Sequence, residues 1–221
     1  MMKVYVFKSL PPFLWGYTRD IRAMWALEEC GIAYEPIGLD CGPNGLQDES
    51  WFEAISSFKQ VPAIDDDGYM LAESGAILLY LAEKSGKLIP SDLKRRAQVY
   101  RWTITSLNNI EPFALPIFFA DLQDDSNPHM KALRPWHVDI LGRFFPTIDA
   151  MLMNQPFVTG SDFTVADIAL TCVLRELRKT EVLSQYPQLE KYRHRCEERP
   201  AFMKVINEYE DRLGIARGSA R

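Results

Sequence analysis

The stretch KQVPAIDDDGYMLAESGAILLYLAEKSG, residues 59–86, has the clearest structural signals in this sequence. Two short apolar runs, residues 61–64 and 69–72, flank an acidic segment that ends in Asp67 and Gly68. An Asp-Gly pair between two apolar runs is typical of the turn of a β-hairpin. The residues after the second run have helical spacing, so we expect a helix that packs its apolar side chains back onto the hairpin.

The residues before this stretch predict a strand, a helix and a second strand. Residues 3–7, KVYVF, are rich in β-branched and aromatic side chains and end at a proline-rich loop. TRDIRAMWALEECG follows as a helix, with Thr18 as a candidate N-cap and Gly31 as its stop. AYEPIGLD predicts a second strand despite Pro36, and ESWFEAIS predicts a short helix. The resulting order, βαβαββα, suits a thioredoxin-like sheet.

Beyond residue 92 nearly every long segment has the apolar spacing of a helix. These segments are residues 93–123, 132–154, 164–183, 189–198 and 201–213. We therefore predict a thioredoxin-like domain over residues 1–84, a linker over 85–92 and an all-helical domain over 93–221. The last residues, RGSAR, are expected to form a frayed tail.

Composition and charge narrow the class of protein. The chain has 221 residues, 47% of them hydrophobic, and a formal net charge of −5, which allows one large domain or two small ones. Its longest apolar stretches are far shorter than the roughly 20 residues of a membrane span. Residues 4–7 are too short for the core of a signal peptide, so we expect a cytoplasmic protein without a membrane partner. The negative charge disfavours a nucleic-acid-binding surface.

The cysteines and histidines give no pattern of a metal or redox centre. Four widely spaced cysteines form no C-x-x-C pair, and the three histidines are few and far apart. We expect reduced thiols and no bound metal. The cysteines are Cys30, Cys41, Cys172 and Cys196.

Two groups of motifs carry a family resemblance. QVPAI, residues 60–64, is followed by ESGAILLYLAEK, and later in the chain FTVADIAL is followed by RPAFMKV. In this order they resemble the glutathione-binding segment and the helical-domain signature of the glutathione transferases, over nearly the whole chain. The resemblance implies a glutathione co-substrate, a cis proline and a homodimer.

The resemblance places glutathione between Pro62 and the helix that starts near Ser74. Val61 would pair with the cysteinyl backbone, while the unpaired N–H groups of the helix start would suit the γ-glutamyl carboxylate. Glu73 would accept from the γ-glutamyl ammonium group. Lys59 would suit the glycyl carboxylate, although most isolated lysines are simply solvated, and Gln60 could equally be a surface residue. In an arbitrary protein Glu73 and Ser74 would form an ordinary capped helix start. The expected binding residues are Lys59, Gln60, Val61, Pro62, Glu73 and Ser74.

Members of this family hold the glutathione thiol as a thiolate, and a single hydroxyl donor could achieve this. Lowering the thiol pKa by about two units corresponds to about 2.7 kcal/mol, which is within reach of one charge-assisted hydrogen bond. The candidates are Thr18, which matches the position of the serine in bacterial and theta-like members, then Tyr17, then Ser9. Thr18 could instead be only an N-cap, and Tyr17 only an aromatic wall of the site. Phe7 and Tyr5 do not match the tyrosine-dependent mode, and no cysteine lies near Thr18.

Aromatic side chains are candidates for the electrophile site. The loop SLPPFLWGY places Phe13 and Trp15 beside the expected glutathione site, and NNIEPFALPIFFA places Phe113 and Phe118 in the first long helix of the second domain. Prolines in that helix could turn these rings toward a cleft, although ordinary core aromatics are an equal alternative.

These features predict an enzyme that conjugates glutathione to a small apolar electrophile, as in detoxification. One alternative is an interaction module with this fold and no catalysis, although the chain keeps the Val-Pro and Glu-Ser pairs. Another is a glutathione-dependent isomerase or dehalogenase, although the Ser-Ser-Cys motif of the isomerases is missing.

Overall fold

The computed structural model describes residues 1–40, 50–122 and 128–221. They form two compact units, the first made of Met1–Lys87 with Arg199–Arg221 and the second of Leu88–Glu198. The first unit thus consists of two segments of the chain. Its first segment, Met1–Lys87, ends inside the predicted linker. Its second segment, Arg199–Arg221, was expected in the helical domain.

The first unit is built on a mixed four-stranded sheet in the order β2-β1-β3-β4. β1 and β2 are parallel, and β3 is antiparallel to both β1 and β4. Asp67 and Gly68 both have positive φ angles, 52° and 94°, as the tight β3–β4 turn requires. The predicted parallel unit and hairpin are therefore confirmed. The strands are β1 (Met2–Phe7), β2 (Tyr34–Leu39), β3 (Ala63–Asp66) and β4 (Tyr69–Ala72).

The described helices confirm the predicted helical segments with some interruptions. The segment 132–154 divides at Gly142, and a π-helical turn, Thr105–Ile110, precedes the proline-containing helix. Short 3-10 turns cover Pro12–Leu14 and Ser50–Ala54. The α-helices are α1 (Asp20–Cys30), α2 (Ser74–Ser85), α3 (Leu93–Ile104), α4 (Glu111–Leu122), α5 (Pro128–Leu141), α6 (Phe145–Leu152), α7 (Val165–Glu176), α8 (Pro187–Glu197) and α9 (Pro200–Leu213).

Helix α1 is the centre of the first unit, because it contacts β1, α2 and α9. Nine of its eleven residues are buried, as expected of a helix that is covered on most sides. The rings of Trp25 and Phe202 lie 4.7 Å apart where α1 meets α9. Arg212 of α9 adds polar contacts, donating to Asp20 Oδ2 at 3.1 Å and to the carbonyl of Phe7 at 3.1 Å. The last helix thus holds both the end of β1 and the start of α1.

The expectation of a frayed C-terminal tail is wrong. The buried carboxylate of Glu210 accepts the N–H groups of Gly218 and Ala220 at 2.9 and 3.0 Å, and Ala220 is fully buried. The carbonyl of Ala220 lies against Gly16, where an added Cβ would come within 2.0 Å of its oxygen. Gly16 also has a φ of 76°, so both space and backbone conformation favour glycine there.

Helix α7 is the buried helix of the second unit, and the predicted capping box at its start is confirmed. Asp167 is fully buried, and its carboxylate accepts the N–H groups of Val158 and Thr164 at 2.9 and 2.8 Å. The hydroxyls of Thr164 and Tyr192 donate to it at 3.0 and 2.9 Å. One carboxylate therefore joins the approach to α7, its first turn and α8.

Within the described ranges, no helix is long and apolar enough to cross a membrane. Nor do the same residues contain a group of three or more His, Cys, Asp or Glu side chains placed to hold a metal ion. Among the described residues, Cys30, Cys172 and Cys196 are not in disulfide bonds, while Cys41 lies outside the described residues.

Candidate functional site

The peptide bond between Val61 and Pro62 is cis, as the family resemblance implied. The first ladder pair of β3 with β4 joins Ala63 to Ala72, so the backbone of Val61 lies outside this ladder. Ser56 fixes the approach, since its hydroxyl donates to the carbonyl of Gln60 and accepts the N–H of Gln60, both at 3.0 Å. A peptide can therefore pair with Val61 as a further short strand.

The start of α2 lies at the same end of the hairpin as Pro62, because Ala63 pairs with Ala72. Ser74 is the first residue of the helix, and Glu73 precedes it with a φ of 72° and no side-chain capping bond. An ordinary capped helix start is therefore not what the structure shows. The first N–H groups of a helix have no intrahelical acceptor and carry partial positive charge, so an anion fits here.

Arg22 is a further candidate site residue, which sequence reasoning missed. Its Nη1 donates to Ser74 Oγ at 3.2 Å, and its side chain is buried in the first turn of α1. This bond joins the start of α1 to the start of α2 and adds a positive charge beside the anion site. Because Ser74 Oγ accepts here, the hydroxyl proton of Ser74 is directed elsewhere. The available signal was an arginine directly before the apolar run Ala23–Leu27.

The proposed thiol donor, Thr18, has a different local role from the one expected. Helix α1 begins at Asp20 with Arg19 at the N-cap position, so the prediction that Thr18 caps the helix is wrong. Instead, Thr18 Oγ1 lies 3.1 Å from the hydroxyl of Tyr209, which also accepts the N–H of Gly16 at 3.3 Å. Tyr209 lies far along the chain in α9, and sequence spacing gave no signal for this contact.

The other hydroxyl candidates lie in the same loop with fewer constraints. Tyr17 is half-buried, and Ser9 is exposed two residues after the end of β1. Four backbone N–H groups of the loop are engaged within the first unit. Those of Leu14, Trp15 and Tyr17 are donated to loop carbonyls, and that of Gly16 is donated to Tyr209. A side-chain hydroxyl is therefore better placed than these amides to reach a ligand.

The residues just before the cis bond have contacts and a backbone conformation that the sequence did not predict. Lys59 has a φ of 50°, and its Nζ lies 3.7 Å from a carboxylate oxygen of Glu53. Gln60 has an exposed side chain beside the Val61 backbone. To bind a glycyl carboxylate, the ammonium group of Lys59 must therefore either contact Glu53 and the ligand together or break its ion pair with Glu53.

The four aromatic candidates fall in different surroundings. In the first unit, Phe13 is about half exposed and Trp15 is anchored by a 3.1 Å bond from its indole N–H to the carbonyl of Leu10. In the second unit, Phe113 is half-buried and its ring lies 5.7 Å from that of Trp136. Phe118 is only 3% exposed, which favours the alternative of an ordinary core aromatic for this residue.

Comparison with known proteins gives matches over both parts of the chain. The family model described as "Glutathione S-transferase, N-terminal domain" matches residues 13–83, and that described as "Glutathione S-transferase, C-terminal domain" matches 114–209. The chain is 30% identical over 184 residues to the disulfide-bond oxidoreductase YfcG of Escherichia coli K12, covering 79% of this chain and 84% of YfcG. It is 30% identical over 202 residues to the probable glutathione S-transferase GSTF2 of Oryza sativa subsp. japonica, covering 87% and 92%.

Solved structures show the same fold. A glutathione transferase family member from Pseudomonas fluorescens pf-5, crystallised with two glutathione molecules bound, superposes with a TM-score of 0.77 at 24% identity. The match covers 93% of this chain and 92% of that protein.

Proposed function

Because the chain belongs to the glutathione S-transferase family, we propose that it binds glutathione, stabilises the thiolate and conjugates it to a small apolar electrophile. The observation that carries this proposal is the uncapped start of α2, where buried Arg22 donates to the hydroxyl of Ser74. A detoxification role in the cytoplasm is consistent with such chemistry and with the family resemblance.

Recognition of the γ-glutamyl group requires opposite charges close together. Its carboxylate would accept the first N–H groups of α2 and the hydroxyl proton of Ser74, with Arg22 supplying charge behind them. Its ammonium group would donate to the exposed carboxylate of Glu73. The cysteinyl backbone would pair with Val61, and Gln60 and Lys59 would meet the glycyl end.

The chemical step needs little from the protein. The thiol proton leaves to solvent, and the sulfur lone pair attacks the electrophile while a donor keeps the sulfur anionic. We assign this donor role to the hydroxyl of Thr18. Within the first unit, the half-exposed ring of Phe13, with Trp15, would supply apolar contacts for the electrophile.

A second candidate is glutathione-dependent reduction of disulfides, favoured by the 30% identity to YfcG. The same bound thiolate would attack a disulfide sulfur instead of a carbon, forming a mixed disulfide and releasing one thiolate. A second glutathione would then attack the mixed disulfide, releasing the other thiol and forming glutathione disulfide. Turnover of an activated aryl halide, of maleyl-type substrates and of hydroxyethyl disulfide, measured side by side, separates conjugation, isomerisation and reduction. A dehalogenase would release halide from alkyl halides, and an interaction module would turn over none of them.

Replacing the two residues at the start of α2 is expected to weaken glutathione binding. Ser74→Ala and Glu73→Gln should each raise the dissociation constant by about tenfold or more, since a charged hydrogen bond is worth about 1.5–3 kcal/mol. Calorimetric titration with glutathione measures this. Ser85→Ala and Glu83→Gln, later in α2, are matched controls that should bind normally. Unchanged affinity in both test variants, with native circular dichroism, would refute the assigned binding site.

We also propose a homodimer, which rests on the family resemblance. Light scattering at micromolar concentration is expected to give about twice the 25.4 kDa of one chain. A mass of one chain would refute the dimer without touching the glutathione site, which is formed within the first unit.

A further inference from the structure

We propose that Tyr209 of α9 is a positioning residue that turns the hydroxyl proton of Thr18 toward the glutathione sulfur. The proposal rests on the proposed function, in which Thr18 is the thiolate donor. It extends that function to the last helix of the chain.

The hydrogen bonds of the Tyr209 phenol restrict where its proton is donated. Gly16 N–H can only donate, and it points at Tyr209 Oη from 3.3 Å. The phenol has one proton of its own, and Thr18 Oγ1 lies 3.1 Å away. Among the residues that the structure describes, Gly16 and Thr18 are the two polar partners of this phenol. A phenol proton that did not go to Thr18 would therefore be buried without an acceptor, which is unfavourable.

The arrangement that satisfies every group runs in one direction. Gly16 N–H donates to Tyr209, and Tyr209 donates to Thr18. In this arrangement the proton of Thr18 is not used by the phenol, and because Thr18 is half-buried rather than enclosed, that proton can be donated to solvent or to a ligand. A hydroxyl that accepts one hydrogen bond is a stronger donor of the next, because bonds in a chain polarise one another.

Packing fixes the position of the Tyr209 phenol, and burial keeps the phenol protonated. Tyr209 is fully buried, and the guanidinium of Arg212 lies 5.2 Å from the centre of its ring. Arg212 is itself anchored to Asp20 and to the carbonyl of Phe7. Burial raises the pKa of Tyr209 to about 12, so the phenol keeps its proton at neutral pH. It therefore orients Thr18 and takes no part in proton transfer.

The test is a double-mutant cycle read out by the pKa of bound glutathione. The variants are Thr18→Val, Tyr209→Phe and the double variant, and the ultraviolet absorbance of the thiolate is followed against pH. Tyr209→Phe is expected to raise the thiol pKa by roughly half to one unit, lowering turnover below that pKa about three- to tenfold. Glutathione affinity should stay within about twofold. In the Thr18→Val background, Tyr209→Phe should add nothing, because the hydroxyl it orients is gone.

Two controls separate positioning from simple loss of a buried hydroxyl. Tyr192→Phe removes another fully buried phenol, bonded to Asp167 in the second unit, and should leave the thiol pKa unchanged. Fluorotyrosine at position 209 donates more strongly than tyrosine and should lower the thiol pKa. This opposite sign is a result that a purely structural role would not give, and it does not depend on Tyr209→Phe folding well.

The outcomes distinguish the two proposals. If Thr18→Val leaves the thiol pKa unchanged, the donor role of Thr18 fails and the role of Tyr209 fails with it. If Thr18→Val raises the pKa but Tyr209→Phe and fluorotyrosine have no effect, only the positioning role is overturned. Equal effects of Tyr209→Phe in both backgrounds also overturn it.

Discussion

Replacing Thr18 by valine is expected to lower turnover at pH 7 by up to about 25-fold, and by up to about 100-fold at lower pH, while glutathione affinity stays within a few-fold. The valine side chain has the same shape but no donor, so the bound thiol pKa should rise by up to about two units, or about 2.7 kcal/mol. The thiol contributes little to ground-state binding, so the loss appears in kcat. Because a raised thiol pKa reduces the thiolate fraction only below that pKa, the defect should shrink as the pH rises.

Tyr17→Phe is the matched comparison in the same loop. If Tyr17 is the donor, this variant shows the pH-dependent defect and Thr18→Val does not. The Thr18 variant would then only lose its hydrogen bond to Tyr209, at a cost of about 1 kcal/mol of stability. If neither variant changes the pH–rate profile, the donor is not a hydroxyl at these positions, and Thr18 is excluded.

Replacing Asp167 by alanine is expected to lower the free energy of unfolding of the second unit by about 3–5 kcal/mol. The carboxylate accepts four hydrogen bonds, from the backbone of Val158 and Thr164 and the hydroxyls of Thr164 and Tyr192. Its removal leaves these buried donors without their acceptor and leaves a cavity. Urea denaturation followed by tryptophan fluorescence and circular dichroism measures the loss.

The control for this variant lies in the loop just before α7. Asp162 forms an ion pair with Arg95 at 2.8 Å, and both side chains are mostly exposed. Asp162→Ala should change stability by less than about 0.5 kcal/mol, because exposed ion pairs contribute little. An Asp167→Ala variant as stable as the Asp162→Ala variant would contradict the assigned role of the buried carboxylate.

The features that sequence reasoning predicted are those fixed by neighbours along the chain. The hairpin at Asp67 and Gly68 and the capping box of Thr164 and Asp167 depend on residues within a few positions of each other. Turn chemistry and helix periodicity report such short-range order directly. The family resemblance then assigned a candidate glutathione-binding segment, which no periodicity rule identifies.

The features that sequence reasoning missed are long-range. The bond from Arg22 to Ser74 spans 52 residues, and that from Thr18 to Tyr209 spans 191. Thr18 had a local alternative as a helix cap, and its hydroxyl was instead taken by a phenol that no spacing rule connects to it. The tail was misjudged for the same reason, because the acceptor of its N–H groups is a buried glutamate on α9.

The division of the first unit between the two ends of the chain has a consequence for synthesis on the ribosome. When residues 1–87 have emerged, α1 still lacks the face of α9 that covers Trp25, and Thr18 lacks its hydrogen bond to Tyr209. Leu88–Glu198 must be translated first, which takes on the order of ten seconds at about 5–20 residues per second. The proposed glutathione-binding residues therefore emerge early, but the first unit is completed by α9 only when translation of the given sequence is nearly finished.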